Sequence, residues 1–323
     1  MPRKIRPFIA LLAGAITFTV QGAGVEYRLL KEIPVGGAGG FDYLTVDAAA
    51  RRLYVSHGTK AVIIDIEKNT VIGELGDTPG IHGIAIAPEA RRVFTSNGRE
   101  AKASIFDPET FKTIAKVDTG PNPDAILYEP GQQEIYTFNG RGSSATVIEA
   151  KTGKVVATIP LSGKPEAAVA DTKAGRVYCN IENKNEIAVI DTKTHQVVAS
   201  WPIAPGQEAS GMAFDAEHHR LFIGCHNKLM EMIDSTNGKV ITSVPIGENV
   251  DGNAFDPAPQ LAFSSNGDGT TTIAHEDSPD KLTVIQTLKT QRGARTIALD
   301  PKTHNIYLAS GSGESFKVLV YGK

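Results

Sequence analysis

Short runs of alternating apolar and polar residues recur along the chain, and Asp, Asn, Gly or Pro closes each run. Phe94-Thr95-Ser96-Asn97 is the clearest unit, and Tyr136-Thr137-Phe138-Asn139 and Phe263-Ser264-Ser265-Asn266 repeat it. Looser copies begin at Tyr54, Tyr178, Phe222 and Tyr307. The anchors at 54, 94, 136, 178, 222, 263 and 307 are separated by steps of 40, 42, 42, 44, 41 and 44 residues. A period near 42 is that of stacked supersecondary units.

Alignment on the anchors exposes the grammar of one unit. An apolar run such as Gly83-Ile84-Ala85-Ile86-Ala87 comes first. Seven residues before the anchor stands an acid: Asp47, Glu129, Asp171, Asp215, Asp256 or Asp300, with Ala87 the exception. A carboxylate there accepts backbone N–H bonds in a tight turn. The anchor strand follows, then a polar loop that is Asn-Gly at 97–98, 139–140 and 266–267. A third strand ends in a step such as Ile64-Asp65 or Ile190-Asp191, and a hairpin leads to a fourth, such as Lys154 to Ile159. No stretch holds an apolar 3.6-residue period over a helix length.

Four short strands per unit and seven units predict an all-β, seven-bladed propeller. The last repeat is one strand short, and Tyr27 to Gly36 resembles the missing fourth strand. It is expected to pair with the C-terminal strand and close the ring, which removes an exposed sheet edge.

Composition changes little: 41% hydrophobic and 21% charged over 323 residues is ordinary for a globular chain. The first residues are more telling. Arg3, Lys4 and Arg6 precede an apolar run from Phe8 to Val20, with small residues at Gly22, Ala23 and Gly24. That predicts a secretory leader over residues 1–23 and one propeller domain over 24–323, periplasmic or secreted. No later run is long enough to cross a membrane. Losing three basic residues takes the formal charge from −3 to −6, which disfavours nucleic acid as a partner. A monomer is expected. Whether Cys179 and Cys225 bond to each other stays open.

The aromatic-x-x-Asn strand, the Ile-Asp strand, the Thr-x-Lys-Val-Val hairpin and the Gly-x-x-Pro entry loop resemble the YVTN-repeat family of β-propellers, from about Tyr27 to Lys323. That resemblance implies kinship with surface-layer and periplasmic propellers, lactonase-like enzymes and accessory proteins of redox systems. Two departures stand out. Repeat six has His275-Glu276 and a longer hairpin, Asp277 to Asp280, and repeat five has Cys225-His226 in place of Asn-Gly.

A slot that converges on the propeller axis yet varies between blades is where function can differ. Twelve residues before the anchor, that slot reads Asp42, His82, Asp124, Glu166, Ser210, Asp251 and Arg295. The loops after the anchors reach the same mouth with His57, Asn97, Asn139, Glu182, Cys225 and His226. Asn253 interrupts an otherwise apolar slot, and Arg292 with Arg295 could clamp an anion. Asp42, Asp124, Glu166 and Asp251 are the candidate ligands of one divalent cation, with His82 or His226 as the candidate acid–base group. A solvated rim or a docking face for a protein or small molecule fits the same residues. The first reading is therefore an exported binding or scaffold module; the alternative is a metal-dependent, lactonase-like hydrolase or lyase at the same mouth. Cys225-His226 reads as a soft metal pair, a reactive thiol or a plain loop.

Overall fold

Each aromatic anchor ends up buried between two blades. Tyr54, Phe94, Tyr136, Tyr178, Phe222, Phe263 and Tyr307 are all 2% exposed or less. Each belongs to a different apolar cluster, and each cluster joins one blade to the next. Burying one such ring contributes roughly 1.5–3 kcal/mol, so the period written in the sequence is the spacing of the inter-blade cores.

The computed structural model describes Met1 and residues 26–323, so the expected leader over residues 1–23 lies, apart from Met1, outside the described residues. Those residues form seven four-stranded antiparallel sheets, all-β, arranged as a propeller. Blade two is representative: Ile81–Ala87, Arg92–Asn97, Lys102–Phe106 and Thr113–Asp118 lie side by side in chain order. The turn acids act as expected. Asp47 accepts the Ala50 N–H at 2.9 Å, and Glu129 accepts those of Gly131 and Gln132 at 2.8 and 2.7 Å.

The ring closes through the N-terminal strand. Arg28–Pro34 pairs antiparallel with Lys317–Gly322, setting Ile33 opposite Val318 and Glu32 opposite Leu319. The Val35 and Gly36 N–H groups then donate to the Phe316 carbonyl at 3.0 and 2.8 Å. Blade seven departs from the pattern in its innermost strand, which is only Ala298–Leu299. Thr296, just before it, donates its hydroxyl to the Asp42 carbonyl of blade one at 2.7 Å. Blade six departs at the other end. Its third strand runs Thr270–Ser278, nine residues, which carries His275 and Glu276 into an extended ladder with Lys281–Lys289. No helix among the described residues is long and apolar enough to cross a membrane.

Candidate functional site

The innermost strands begin at one mouth of the channel, and in blades two to six the ladder is interrupted there. The breaks fall between Ile81 and Ile84, Pro123 and Ile126, Pro165 and Ala168, Ala209 and Met212, and Val250 and Gly252. His82, Asp124, Glu166, Ser210 and Asp251 lie inside these breaks. A bulge re-aims a side chain, and here five successive blades use it to turn one residue toward the axis. Serines of the anchor strands pin these segments. The Ser56 hydroxyl accepts the Asp42 N–H at 2.7 Å, and the Ser96 hydroxyl accepts the Gly83 N–H at 2.9 Å.

All seven entry residues line one cavity of about 520 Å³, together with Tyr43, Lys164, Glu182 and His226. Five carboxyl side chains there face two permanent cations, Lys164 and Arg295, and two imidazoles. His82 donates from Nδ1 to Asp42 Oδ2 at 2.7 Å, with Asp124 Oδ1 3.4 Å from the same nitrogen. Glycine at residue 98 leaves this ring its room, since a Cβ there would come within 2.6 Å of Nε2. The Lys164 ammonium bridges Glu166 and Glu182, each at 2.5 Å. Asp251 accepts from the Ser210 hydroxyl at 2.8 Å and from Arg295 Nε at 2.6 Å. Beside His82 a second cleft, about 340 Å³, is lined by Arg99, Arg141 and Arg295.

Burial and crowding raise three of these acids, Asp42, Asp124 and Glu166. Burial, then the charges of Asp42 and Asp251, push Asp124 up to about 6 against the pull of His82. Burial, then Asp124, push Glu166 up to about 8, although Lys164 opposes the shift. Asp42 is raised too, mainly by burial, despite its hydrogen bond from His82. For His82, burial favours the neutral ring, but the bond to Asp42 and the fields of Asp124, Asp42 and Glu166 outweigh it and raise its pKa. Asp42, His82 and Asp124 offer three ligand atoms within 4.8 Å of one another. One imidazole and two carboxylates form a donor set suited to a divalent ion.

Not every candidate is brought to this cavity. Asn97 and Asn139 are fully buried inside their blades. Asn97 donates to Glu100 and Ser104 at 2.8 Å, and Asn139 donates to Ser144 and Thr146 at 3.1 Å. Asn266 makes the equivalent bonds to Thr270 and Thr272, so this recurring Asn closes each polar loop. His57 is 1% exposed and stacks on Phe316 at 4.1 Å between ring centres, across the closing seam. Arg292 is exposed and is not among the cavity residues, whereas Arg295 is. Asn253 lines a separate cavity of about 180 Å³ deeper in the channel. Its Nδ2 donates to the Phe222 carbonyl at 3.3 Å and its Oδ1 is buried without a partner.

Tyr43 was missed by the entry-slot reading, although a signal existed. The next slot reads Tyr43, Gly83, Ala125, Ala167, Gly211, Gly252 and Thr296. Six small residues leave room for one ring, which lines both the mouth cavity and the deeper one. Lys164 was missed as well; it lies two residues before Glu166, outside the slot.

Cys179 and Cys225 are free thiols, both fully buried. Burial pushes Cys225 up to about 12, with Glu231 adding to the shift, and raises Cys179 well above its ordinary value. That excludes Cys225 as a reactive thiol in the folded protein, because the thiolate is the nucleophile. The expected result with a thiol reagent is no rapid labelling of the native protein and two labelled cysteines after denaturation. Rapid native labelling would contradict this burial. His226 lines the mouth cavity, with Nε2 3.1 Å from the Val250 carbonyl.

No family model matches the sequence, and no curated protein matches it. Similarity to solved structures shows the fold. A chain of Kuenenia stuttgartiensis hydrazine synthase superposes with a TM-score of 0.77 at 15% identity, over 87% of this chain and 95% of that one. A chain of the mitotic checkpoint complex superposes with a TM-score of 0.78 at 12% identity, over 100% of this chain and 99% of that one.

Proposed function

We propose that this propeller is a binding protein whose channel mouth takes a small ligand bearing positive charge. The observation that carries this reading is the convergence of Asp42, Asp124 and Glu166 in one cavity, each with its carboxyl raised by burial and mutual repulsion. Buried negative charge in excess of its counter-charge is relieved by a cation. The neighbouring arginine cleft suits a ligand that also has an anionic end. Both structural neighbours come from named assemblies or enzymes, so the fold alone does not choose between small ligands and protein partners. The proposal keeps export, on the leader-like residues 1–23; the amino-terminal sequence of protein recovered from the native host checks it.

The test is calorimetric titration with putrescine and lysine at pH 5 and pH 8. At least one of these is expected to bind, and more tightly at pH 8, because Asp124 and Glu166 lose protons across that range. Asp124→Asn is expected to weaken binding about tenfold or more. No binding at pH 8, or binding unchanged in Asp124→Asn, would overturn the reading and favour a protein-docking face.

A second reading is favoured by one specific feature, the three donors of Asp42, His82 and Asp124 within 4.8 Å. They would hold a divalent ion, which when bound polarises a carbonyl as a Lewis acid. Glu166, protonated near neutral pH, would be the proton donor of a hydrolase or lyase. Lactone hydrolysis that depends on added metal and is lost in Glu166→Gln would select this reading.

A further inference from the structure

A second group of donors sits at the opposite face of blades five and six. The Asp215 carboxylate lies 2.6 Å from His218 Nδ1, and Glu276 Oε1 lies 3.9 Å from the same nitrogen. The three offer ligand atoms within 4.8 Å of one another.

Glu276 is the unusual member. It is 3% exposed, and both its carboxylate oxygens are buried without a hydrogen-bond partner. The backbone identifies its slot: Ile66, Ala150, Thr192, Ser235 and Glu276 each donate an N–H across their blade at 2.9 to 3.1 Å. Four blades fill that slot with an apolar or hydroxyl residue, and only Glu276 brings a charge. Arg220 does not serve as its partner. Arg220 donates Nε to the Pro279 carbonyl at 2.6 Å, and its terminal nitrogens lie 3.7 Å from Asp234 and Asp280. A buried carboxylate left in this state is costly.

We propose that Asp215, His218 and Glu276 form a second divalent-cation site, distinct from the channel mouth. One imidazole with two carboxylates suits a zinc-class ion better than calcium, which prefers oxygen ligands alone. Zinc takes such donors at ~2.0–2.2 Å, and these three converge within 4.8 Å of one another. The longer hairpin of blade six then has a structural correlate, since it carries Glu276 into position on the extended strand Thr270–Ser278.

The experiment is zinc titration of chelator-treated protein, by calorimetry and by the zinc content of gel-filtered samples. Wild type, Asp124→Asn and Glu276→Gln are compared. Asp124→Asn removes one donor from the mouth and leaves Asp215, His218 and Glu276 untouched, so it is expected to retain the zinc equivalent of the second site. Glu276→Gln is expected to lose that equivalent, or to bind it at least about tenfold more weakly. Without metal, Glu276→Gln should melt no lower than wild type, because glutamine removes an unpartnered buried acid. The proposal is overturned if Asp124→Asn binds no zinc, or if Glu276→Gln binds as wild type does.

Discussion

Glu166→Gln is expected to raise the melting temperature at pH 9 while changing it little at pH 4. The wild-type carboxyl has a folded value of about 8 against an ordinary value of 4.5. The folded state therefore holds this proton more tightly than the unfolded chain does. Stability from this group is fully present below 4.5 and is lost as pH rises through 8. A shift of that size corresponds to about 5 kcal/mol as an upper bound, at 1.36 kcal/mol per unit. Relaxation and water entry reduce it, so about 2 kcal/mol is the working expectation at pH 9. Glutamine keeps the side chain's shape, and Lys164 keeps Glu182 at 2.5 Å. Thermal melts of both proteins from pH 4 to pH 9 check it. Curves that stay parallel across the range would mean that Glu166 ionises as an ordinary surface acid. A ligand cation should narrow the gap at pH 9 by stabilising wild type more than the variant, which ties this pH dependence to the proposed binding function.

The fold was legible because propeller cores repeat. One buried aromatic per blade, at a nearly constant spacing, marks an inter-blade cluster each time, and no long-range inference is needed beyond closing the ring. The entry slot was legible for the same reason: it varies where the rest of the unit is constant, and its residues share one cavity. Asn97 and Asn139 show where the reading went too far. They recur with Asn266 at one slot, and a recurring polar residue is a scaffold residue; its amide donates to a hydroxyl of the blade's third strand. Tyr43 shows the opposite omission, because a large ring in a slot of glycines and alanines is as informative as a charge in an apolar one. The sequence marked His275-Glu276 as a departure from the Ile-Asp step, but the register puts His275 in the acid's place and Glu276 one position beyond it, level with Ile66 and Ser235. The missing hydrogen bonds of Glu276 could not be seen there, because they depend on how neighbouring blades pack.

Arg51→Met is expected to destabilise the protein by about 3 kcal/mol, whereas Lys317→Met should cost less than about 1 kcal/mol. Arg51 ties blade one to blade seven, whereas Lys317 and Glu32 pair across the closing strands within blade seven, and burial separates the two pairs. Arg51 of blade one gives two parallel hydrogen bonds to Asp300 of blade seven, at 2.9 and 2.7 Å. The Asp300 side chain is fully buried. Lys317 meets Glu32 at 2.9 Å with half of the glutamate side chain in solvent, where water screens the pair. Removing Arg51 leaves a buried carboxylate with only its turn contacts, the Lys302 N–H at 3.1 Å and the Thr303 hydroxyl at 2.6 Å. Burial favours the neutral acid at Asp300, but the bonds from Arg51 and Thr303 prevail and hold its pKa below 3.8. The contribution is therefore present at neutral pH and is lost as pH falls through that depressed value, so the two melting curves should converge in acid. Arg51→Lys should recover only part of the loss, because an ammonium cannot match the two-oxygen geometry. Denaturant melts of the three variants at pH 7 and pH 3 decide the matter. Equal losses from Arg51→Met and Lys317→Met would show that the buried pair between blades one and seven contributes no more than an exposed one.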